Sequence, residues 1–128
     1  MHRLKELKIW NKAISLATEV YKTTAGFPNE EKYGLISQIR RATVSISSNI
    51  AEGAGRNSSN EFLHFLGIAN GSCYELQSQL VIAEQLQFIS QEKLDLFLNE
   101  IEEIQKMNFK LQQSIKQLHS KPETILNT

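Results

Sequence analysis

The chain has 128 residues, of which 41% are hydrophobic and 22% are charged, a composition typical of one globular domain. Its 14 basic and 14 acidic side chains balance, which excludes a bulk electrostatic attraction to nucleic acid or to an anionic membrane. Two prolines, six glycines and the lack of long apolar–polar alternation predict an all-α fold. The sequence contains no run of about twenty apolar residues, so we expect no membrane span. Charged residues near Met1 and a single cysteine, Cys73, favour a cytoplasmic location.

The first helix is predicted from Leu7 to Thr24, because apolar residues recur there at helical spacing along two neighbouring lines. Together these lines cover a wider arc than the seam of one helical bundle requires. We interpret Trp10 and Tyr21 as core residues. Gly26 and the following Phe27-Pro28 end the helix. One line contains Ile9, Ala13, Leu16 and Val20, and the other contains Trp10, Ile14, Ala17 and Tyr21.

The second helix combines an apolar stripe with a neighbouring line of polar and small residues. Asn29 is its predicted N-cap, although Gly34 can delay the regular part of the helix, and Gly53-Ala54-Gly55 ends it. Its several serines have poor helix propensity, so neighbours on two sides are expected to hold it in place. The apolar stripe contains Leu35, Ile39, Ala42, Ile46 and Asn49, flanked by Ile36, Thr43 and Ile50. The polar line contains Arg41, Ser45, Ser48 and Glu52.

The third helix begins at a capping box, in which the Ser58 hydroxyl accepts from the Glu61 N–H. An unbroken heptad line of core residues follows. Gly67 and Gly71 lie off that line and each costs about 1 kcal/mol relative to alanine. Either another helix or subunit approaches closely at these glycines, or the helix is flexible. The heptad line contains Phe62, Leu66, Ala69, Cys73, Leu76, Leu80 and Ala83.

The fourth helix has Ser90 as its predicted N-cap, with Ile89 stapled onto Leu94. Its single polar core position is Asn108, which can fix the register between helices. Residues 1–119 form the predicted four-helix bundle domain, and residues 120–128, which contain Pro122, form a flexible tail. The predicted core line contains Leu94, Phe97, Ile101, Ile104, Asn108, Leu111, Ile115 and Leu118.

Four helices joined by short loops predict an antiparallel up-down-up-down bundle. The extra apolar line of helix one, the glycines of helix three and the polar line of helix two exceed the needs of one bundle core, so we expect a homo-oligomer. Residues 1–56 carry nine basic and five acidic side chains, and residues 57–128 carry five and nine. Either antiparallel helices interleave these charges and cancel them, or the molecule is polar and docks copies of itself head to tail.

Signals of catalysis or cofactor binding are weak. Glu61-x-x-His64 matches half of a di-iron motif, but the second copy is missing. Neither a zinc motif nor a complete phosphate loop is present, and no serine stands in a nucleophile elbow. We therefore predict no catalytic residue, no metal and no cofactor, and a protein that is not an enzyme.

Two sets of residues remain as candidates for interaction. The first could contact phosphates, or could complete hydrogen bonds at a subunit contact through Arg41 and Glu52, which we favour. Asn49 needs a partner if it is buried. The first set, a candidate interaction face, contains Arg40, Arg41, Ser45, Ser48, Asn49, Glu52 and Arg56. The second set, candidate subunit contacts, contains Gly67, Gly71, Ser72, Tyr74 and Glu75.

Motifs across residues 4–118 resemble a known family. They include Leu7-Lys8-Ile9-Trp10, Gln38-Ile39-Arg40-Arg41-Ala42, Asn49-Ile50-Ala51-Glu52-Gly53, and Gly71-Ser72 followed by Glu75-Leu76. The chain is similar to the four-helix-bundle proteins encoded in intervening sequences of bacterial 23S ribosomal RNA genes, also grouped as S23-like ribosomal proteins.

The resemblance implies a barrel-like homopentamer without established catalytic residues. It also implies kinship with the accessory protein of diversity-generating retroelements, a basic pentamer that works with a reverse transcriptase and nucleic acid, from which this chain departs in being neutral. We expect a self-assembling interaction protein or scaffold whose main partner is itself. The alternative is an accessory factor that binds RNA, DNA or a nucleic-acid-processing protein through a basic face of the oligomer.

Overall fold

The structure, a computed structural model, describes residues 3–126, with side chains as far as Leu118. All regular elements in that range are helical. Short 3-10 turns at Leu4–Glu6 and Asn29–Glu31 precede the first two α-helices. None of the described helices is both long and apolar enough to cross a lipid bilayer. The four α-helices are α1 (Lys8–Thr24), α2 (Leu35–Ala54), α3 (Ser59–Gln85) and α4 (Gln91–Leu126).

Helices α3 and α4 begin where the sequence predicts. The Ser58 hydroxyl accepts from the Glu61 N–H at 3.1 Å, and the Ser90 hydroxyl accepts from the Lys93 N–H at 3.0 Å. Each bond satisfies one of the amide groups that a helix N-terminus leaves without a partner. Both predicted N-caps are therefore confirmed.

The start of α2 differs from the prediction that Asn29 caps it. Asn29 opens a separate 3-10 turn, and non-helical backbone at Gly34, with φ −109° and ψ −110°, separates this turn from α2. The Glu31 carboxylate accepts from the Leu35 N–H at 3.2 Å and so takes the capping role. The prediction for Asn29 is wrong because the break at Gly34 moves the helix start downstream.

One hydrophobic core joins all four helices. Every residue of the heptad line predicted for α3 is buried, so this prediction is confirmed. In α4 the predicted line holds as far as Ile104, and Asn108 and Ile115 are also buried. Leu118, in contrast, is 68% exposed. Helix α4 has 36 residues and α3 has 27, so the last turns of α4 extend beyond α3 and have less surface to pack against.

Only one of the two apolar lines of α1 enters the core. Ile9, Ala13, Leu16 and Val20 are buried, and Trp10 of the other line is half-buried and packs against the core, whereas Tyr21 is 41% exposed. The interpretation of Tyr21 as a core residue is therefore wrong. Its ring instead supports the Arg40 guanidinium, whose carbon lies 4.5 Å from the ring centroid.

The buried face of α2 is rotated slightly from the predicted stripe. Ile39, Ala42 and Ile46 are buried as expected, but Leu35 and Asn49 lie half-buried at its edge. Ile36, Thr43 and Ile50, which were predicted to flank the apolar stripe, are all buried. The centre of the buried face therefore lies closer to these three residues than predicted.

The contacts between helices differ in extent. Helices α2 and α3 share the most extensive contact, and α1 and α4 share the least of the four large helix pairs. Lys12 of α1 reaches Glu100 at 3.0 Å and Glu103 at 2.6 Å on α4. Its hydrogen bonds to Glu103 and Glu100 raise the pKa of Lys12, and the bond from Lys12 lowers the pKa of Glu103.

The backbone of α4 continues as helix to Leu126 and so includes most of the predicted tail. The assignment of residues 120–128 to a flexible tail, and the domain boundary at residue 119, stay predictions. Residues 127 and 128 lie outside the described range.

Candidate interaction surface

Arg40, predicted to be a phosphate contact, links α1 to α2 within the chain. Its Nε donates to the Thr24 hydroxyl at 2.9 Å and its Nη2 donates to the Tyr21 carbonyl at 3.1 Å. Since Thr24 is buried, this guanidinium is fixed at the end of α1. Arg40 therefore has a structural role that the sequence pattern did not indicate.

The polar line of α2 divides into two parts. The Ser45 hydroxyl lies 2.9 Å from that of Ser72 on α3, and Asn49 donates to the Ser45 carbonyl at 2.8 Å and hydroxyl at 3.0 Å. These three side chains form a polar contact between α2 and α3. Ser72 is buried by this contact within the chain, and Asn49 finds the partner that its position requires.

The remaining members of that line face outward. Glu52 pairs with Arg56 at 2.9 Å, and the Arg56 guanidinium carbon lies 4.9 Å from the Phe65 ring centroid. Arg41 and Ser48 are exposed, and among the described residues Arg41 has neither an ion pair nor a hydrogen bond. Arg41 is thus the arginine of the candidate face that is free to bind a partner.

A second heptad line runs along the exposed side of α3, opposite its core line. We call it the α3 outer seam: Ile68, Gly71, Glu75, Ser78 and Ile82, at spacings of 3, 4, 3 and 4. All five residues are exposed, Ile68 at 40% and Ile82 at 48%. A helix with apolar residues on both sides is typical of one that packs on both sides.

The glycines on this side of α3 serve no close contact with any other described part of the chain. A Cβ added at Gly67 or at Gly71 would meet no atom within 4 Å. Gly53 of α2 is the opposite case, since a Cβ there would lie 2.8 Å from the Phe65 Cβ. The close approach of α2 to α3 therefore depends on Gly53, whereas no contact among the described residues requires a glycine at position 67 or 71.

Helix α2 presents a matching line, which we call the α2 outer seam: Ser37, Arg41, Val44 and Ser48, at spacings of 4, 3 and 4. Val44 is 40% exposed. The N-terminal half of this seam borders a cleft of about 530 Å³ that Tyr21, Lys32 and Tyr33 also line. Tyr33 is 89% exposed, the largest exposure among the big hydrophobic residues described.

The sequence pattern predicted Gly67, Gly71, Ser72, Tyr74 and Glu75 as subunit contacts and did not include Ile68, Ile82 or Val44. The signal was present, because the spacing that defines the core line of α3 recurs on its other side. The role of Gly67, Gly71, Tyr74 and Glu75 as contacts stays a prediction, and Ser72 contacts Ser45 within the chain. Tyr74 is exposed but lies beside the outer seam, near Asn70 and Gln105 at the border with α4.

Groups that could support metal chemistry do not come together. His64 is exposed, and the described residues include no group of three or more His, Cys, Asp or Glu side chains able to hold a metal ion. The predictions of no cofactor and no enzymatic activity stay predictions.

Cys73 is buried, and this burial raises the pKa of its thiol to about 12 from an ordinary 9.0. Because the thiolate is the reactive form, we expect native Cys73 to react with a disulfide reagent at pH 8 at least about a thousandfold more slowly than the unfolded chain. Absorbance kinetics with and without guanidinium measure the ratio. Similar rates in the two conditions would contradict this placement of the thiol.

A family model described as 23S rRNA-intervening sequence protein matches residues 5–110, which span α1, α2, α3 and more than half of α4. The chain belongs to this family. The resemblance drawn from its sequence motifs is therefore confirmed.

A solved structure supports the fold of this family member. It is a protein from Bacteroides thetaiotaomicron described as having unknown function and belonging to the S23 ribosomal protein family. The two chains share 23% identity with a TM-score of 0.73, over 81% of this chain and 97% of that one. No curated protein matches the chain.

Proposed function

We propose that this family member is a non-enzymatic, self-assembling interaction protein whose copies form a homopentamer. The observation that carries the proposal is the α3 outer seam, which exposes two isoleucines at heptad spacing beside glycines against which no described residue packs. The resemblance to pentameric relatives gives the number of subunits. The assembly then presents a repeated surface to a cellular partner, in the cytoplasm as the sequence predicts.

The energetic argument concerns the two helical glycines. Gly67 and Gly71 together weaken α3 by about 2 kcal/mol relative to alanine. This cost is offset if a second copy packs its backbone or a side chain against the bare positions, because close packing gains dispersion energy and removes apolar surface from water. The exposed Ile68 and Ile82 supply apolar surface on either side of Gly71.

The proposal includes antiparallel, up-down-up-down helices. Two contacts between α3 and α4 support this direction: Asn108 donates to the Leu66 carbonyl at 2.9 Å, and Gln105 donates to Asn70 at 3.2 Å. As the residue number falls along α4, that of its partner on α3 rises. Short loops between consecutive helices favour the same topology.

Sedimentation equilibrium on the purified chain at micromolar concentration tests the assembly. We expect a species about five times the 14.6 kDa of one copy, without a substantial monomer fraction. A stable monomer under these conditions would overturn the proposed function. An oligomer of another size would overturn the pentamer and leave self-assembly standing.

A second candidate function is the binding of RNA or DNA, and the cleft beside Tyr33 is the observation that favours it. Three cations, Lys32, Arg40 and Arg41, line this cleft with Tyr21 and Tyr33, and its lining contains no carboxylate. Phosphates pair with such cations and bases stack on exposed aromatic rings. A pentamer would gather five weak sites into one avid surface.

Binding of a fluorescent single-stranded oligonucleotide at several salt concentrations tests this candidate. Contact with phosphates predicts that the logarithm of the binding constant falls linearly with the logarithm of salt, by about 0.7 per phosphate neutralised. We expect Arg41→Ala to reduce the slope, while Lys116→Ala, on the far part of α4, leaves it unchanged. Absence of binding at low salt would exclude this function.

A further inference from the structure

We infer that a small polar pocket between α3 and α4 binds a nucleobase, and that two lysines of the adjoining cleft hold the phosphate of the same nucleotide. This inference does not depend on the proposed self-assembly, and the pocket shares no lining residue with the cleft beside Tyr33. We call it the amide pocket: Asn70 and Tyr74 of α3, with Gln105, Asn108, Phe109 and Gln112 of α4.

A chain of side-chain amides determines which group Asn70 offers to the pocket. The Gln77 nitrogen donates to the Gln105 oxygen at 2.9 Å, and the Gln105 nitrogen donates to the Asn70 oxygen at 3.2 Å. The Asn70 oxygen is therefore the acceptor in this chain, and its amide NH2 has no acceptor among the described residues. Half-buried Asn70 thus offers a hydrogen-bond donor.

Gln112 offers the opposite group for the same kind of reason. Asn108 is buried, and its nitrogen donates to the Leu66 carbonyl at 2.9 Å, so its oxygen is the acceptor that remains. The Gln112 nitrogen donates to this oxygen. The Gln112 oxygen then has no donor among the described residues, and half-buried Gln112 offers a hydrogen-bond acceptor.

The donor of Asn70 and the acceptor of Gln112 lean toward each other. Helical side chains lean toward the N-terminus of their own helix, and the contacts between α3 and α4 run in opposite directions along the two helices. The edge of an aminated base is complementary, because a ring nitrogen accepts while the neighbouring amino group donates. A phosphate or a carboxylate only accepts, and would leave the Gln112 oxygen unpaired.

Two exposed aromatic rings and the lack of charge favour a base over other amide-like ligands. Tyr74 is 61% exposed on α3 and Phe109 is 62% exposed on α4, and both line the pocket. Bases stack on such rings. An aliphatic amide, such as the asparagine side chain of a partner, would form the same hydrogen bonds without using the rings. The lining contains no charged side chain, which suits an uncharged base.

The size of the pocket and its neighbour suit a nucleotide. The amide pocket has a volume of about 190 Å³, below the range of sites for drug-sized ligands, so it has room for little more than the base. A cleft of about 380 Å³ adjoins it and shares Gln105 and Phe109. Lys106 and Lys110, one helical turn apart, line this cleft with a single carboxylate, Glu102. Two lysines at this spacing can hold a phosphate.

Titration calorimetry of the full chain with adenosine 5′-monophosphate tests the pocket. We expect binding, and at least about fivefold weaker binding of purine riboside 5′-monophosphate, which lacks the amino group. Adenosine without phosphate should bind with an affinity independent of salt, because the pocket is uncharged, whereas salt should weaken the monophosphate. Equal binding of the two monophosphates, or binding of neither, would overturn the inference.

A single-stranded oligoadenylate separates the two sources of such a base. Tighter binding per site than the monophosphate would assign the pocket to a base within a strand. Equal or weaker binding would assign it to a free nucleotide. Either result supports the inference once the monophosphate binds with the expected need for its amino group.

Substitution of Phe109 locates the bound base. We expect Phe109→Ala to weaken adenosine 5′-monophosphate at least about fivefold through lost stacking. The matched control is Leu96→Ala, which removes a side chain of similar exposure, 60%, from the same helix but outside both clefts, and should have no effect. Equal losses in the two variants would overturn the site. A loss in Tyr33→Ala without one in Phe109→Ala would place the base in the other cleft and also overturn it.

Gln112→Met tests the hydrogen bond to the amino group apart from any effect on the fold. Methionine has a similar length but lacks the carbonyl oxygen. We expect at least about fivefold weaker binding of adenosine 5′-monophosphate and unchanged binding of purine riboside 5′-monophosphate, which has no amino group to donate. Equal weakening of both ligands would mean that the substitution acts only on structure, and would overturn the assigned contact.

Discussion

Replacing Gly53 by alanine is expected to lower the free energy of unfolding by about 1–3 kcal/mol, the usual cost of overpacking a filled core. A Cβ at this buried position would lie 2.8 Å from the Phe65 Cβ, 2.9 Å from the Phe62 Cδ1 and 3.3 Å from the Phe62 carbonyl oxygen. Contacts this short force α2 and α3 apart, since neither a Cβ nor a backbone oxygen can rotate away. Urea unfolding followed by circular dichroism measures the loss.

Gly55→Ala, two residues later, is the matched control. There a Cβ would lie 3.6 Å from the Ala51 carbonyl oxygen and 3.7 Å from that of Glu52, which is ordinary contact. The backbone has φ −86°, a conformation open to alanine, so we expect a neutral or slightly stabilising effect. If Gly53→Ala and Gly55→Ala destabilise the protein equally, then Gly53 is needed to end α2 and not to let α3 pack closely.

Substitution of the glycines on the other side of α3 is expected to change stability and assembly in opposite directions. Gly67→Ala/Gly71→Ala should stabilise the isolated chain by about 1–2 kcal/mol, because alanine favours the helix and the added methyl groups meet no atom within 4 Å. Gly71→Leu should dissociate the oligomer, because a leucine occupies the space that the neighbouring copy is proposed to fill.

Two measurements separate these effects. Thermal unfolding in dilute solution reports the stability of the chain, and sedimentation velocity over a concentration series reports self-association. Ser114→Leu, at an exposed position of α4, is a control for adding a large apolar residue away from the α3 outer seam. An oligomer that persists unchanged in Gly71→Leu would contradict the role of this seam.

The features of the fold that follow from local sequence were predictable. The core line of α3 and the caps at Ser58 and Ser90 depend on residues within one helix, so spacing and cap chemistry were sufficient to identify them. Membership of the family was likewise readable from motifs along the chain.

The errors arose where the outcome depends on neighbouring helices. Helical spacing places Tyr21 on an apolar line of α1. It does not reveal which of the two apolar lines of α1 is buried, or that the Arg40 guanidinium lies over the tyrosine ring. Leu118 continues a regular pattern past the surface available for packing. The Asn29 prediction failed because the conformation of Gly34 decides where α2 starts.

Only part of the candidate surface was predictable, because the rest also depends on how neighbouring helices pack. Arg41, Gly71 and Glu75 were predicted as contacts because exposed small or unpaired polar residues in a helix are typical of an interface, and they stay candidates. The sequence did not distinguish them from Ser45, Asn49 and Ser72, which form hydrogen bonds within the chain at the contact between α2 and α3. That distinction depends on which side of each helix the partner helix occupies.

The uneven packing of the four helices has a consequence for recognition. Because α2 and α3 share the most extensive contact and α1 and α4 the least, amide hydrogens should exchange last in the central turns of α2 and α3 and sooner in α1. The two outer seams therefore lie on the helices that fluctuate least. A neighbour that docks there meets a surface already ordered before the encounter, and association requires little further loss of conformational entropy.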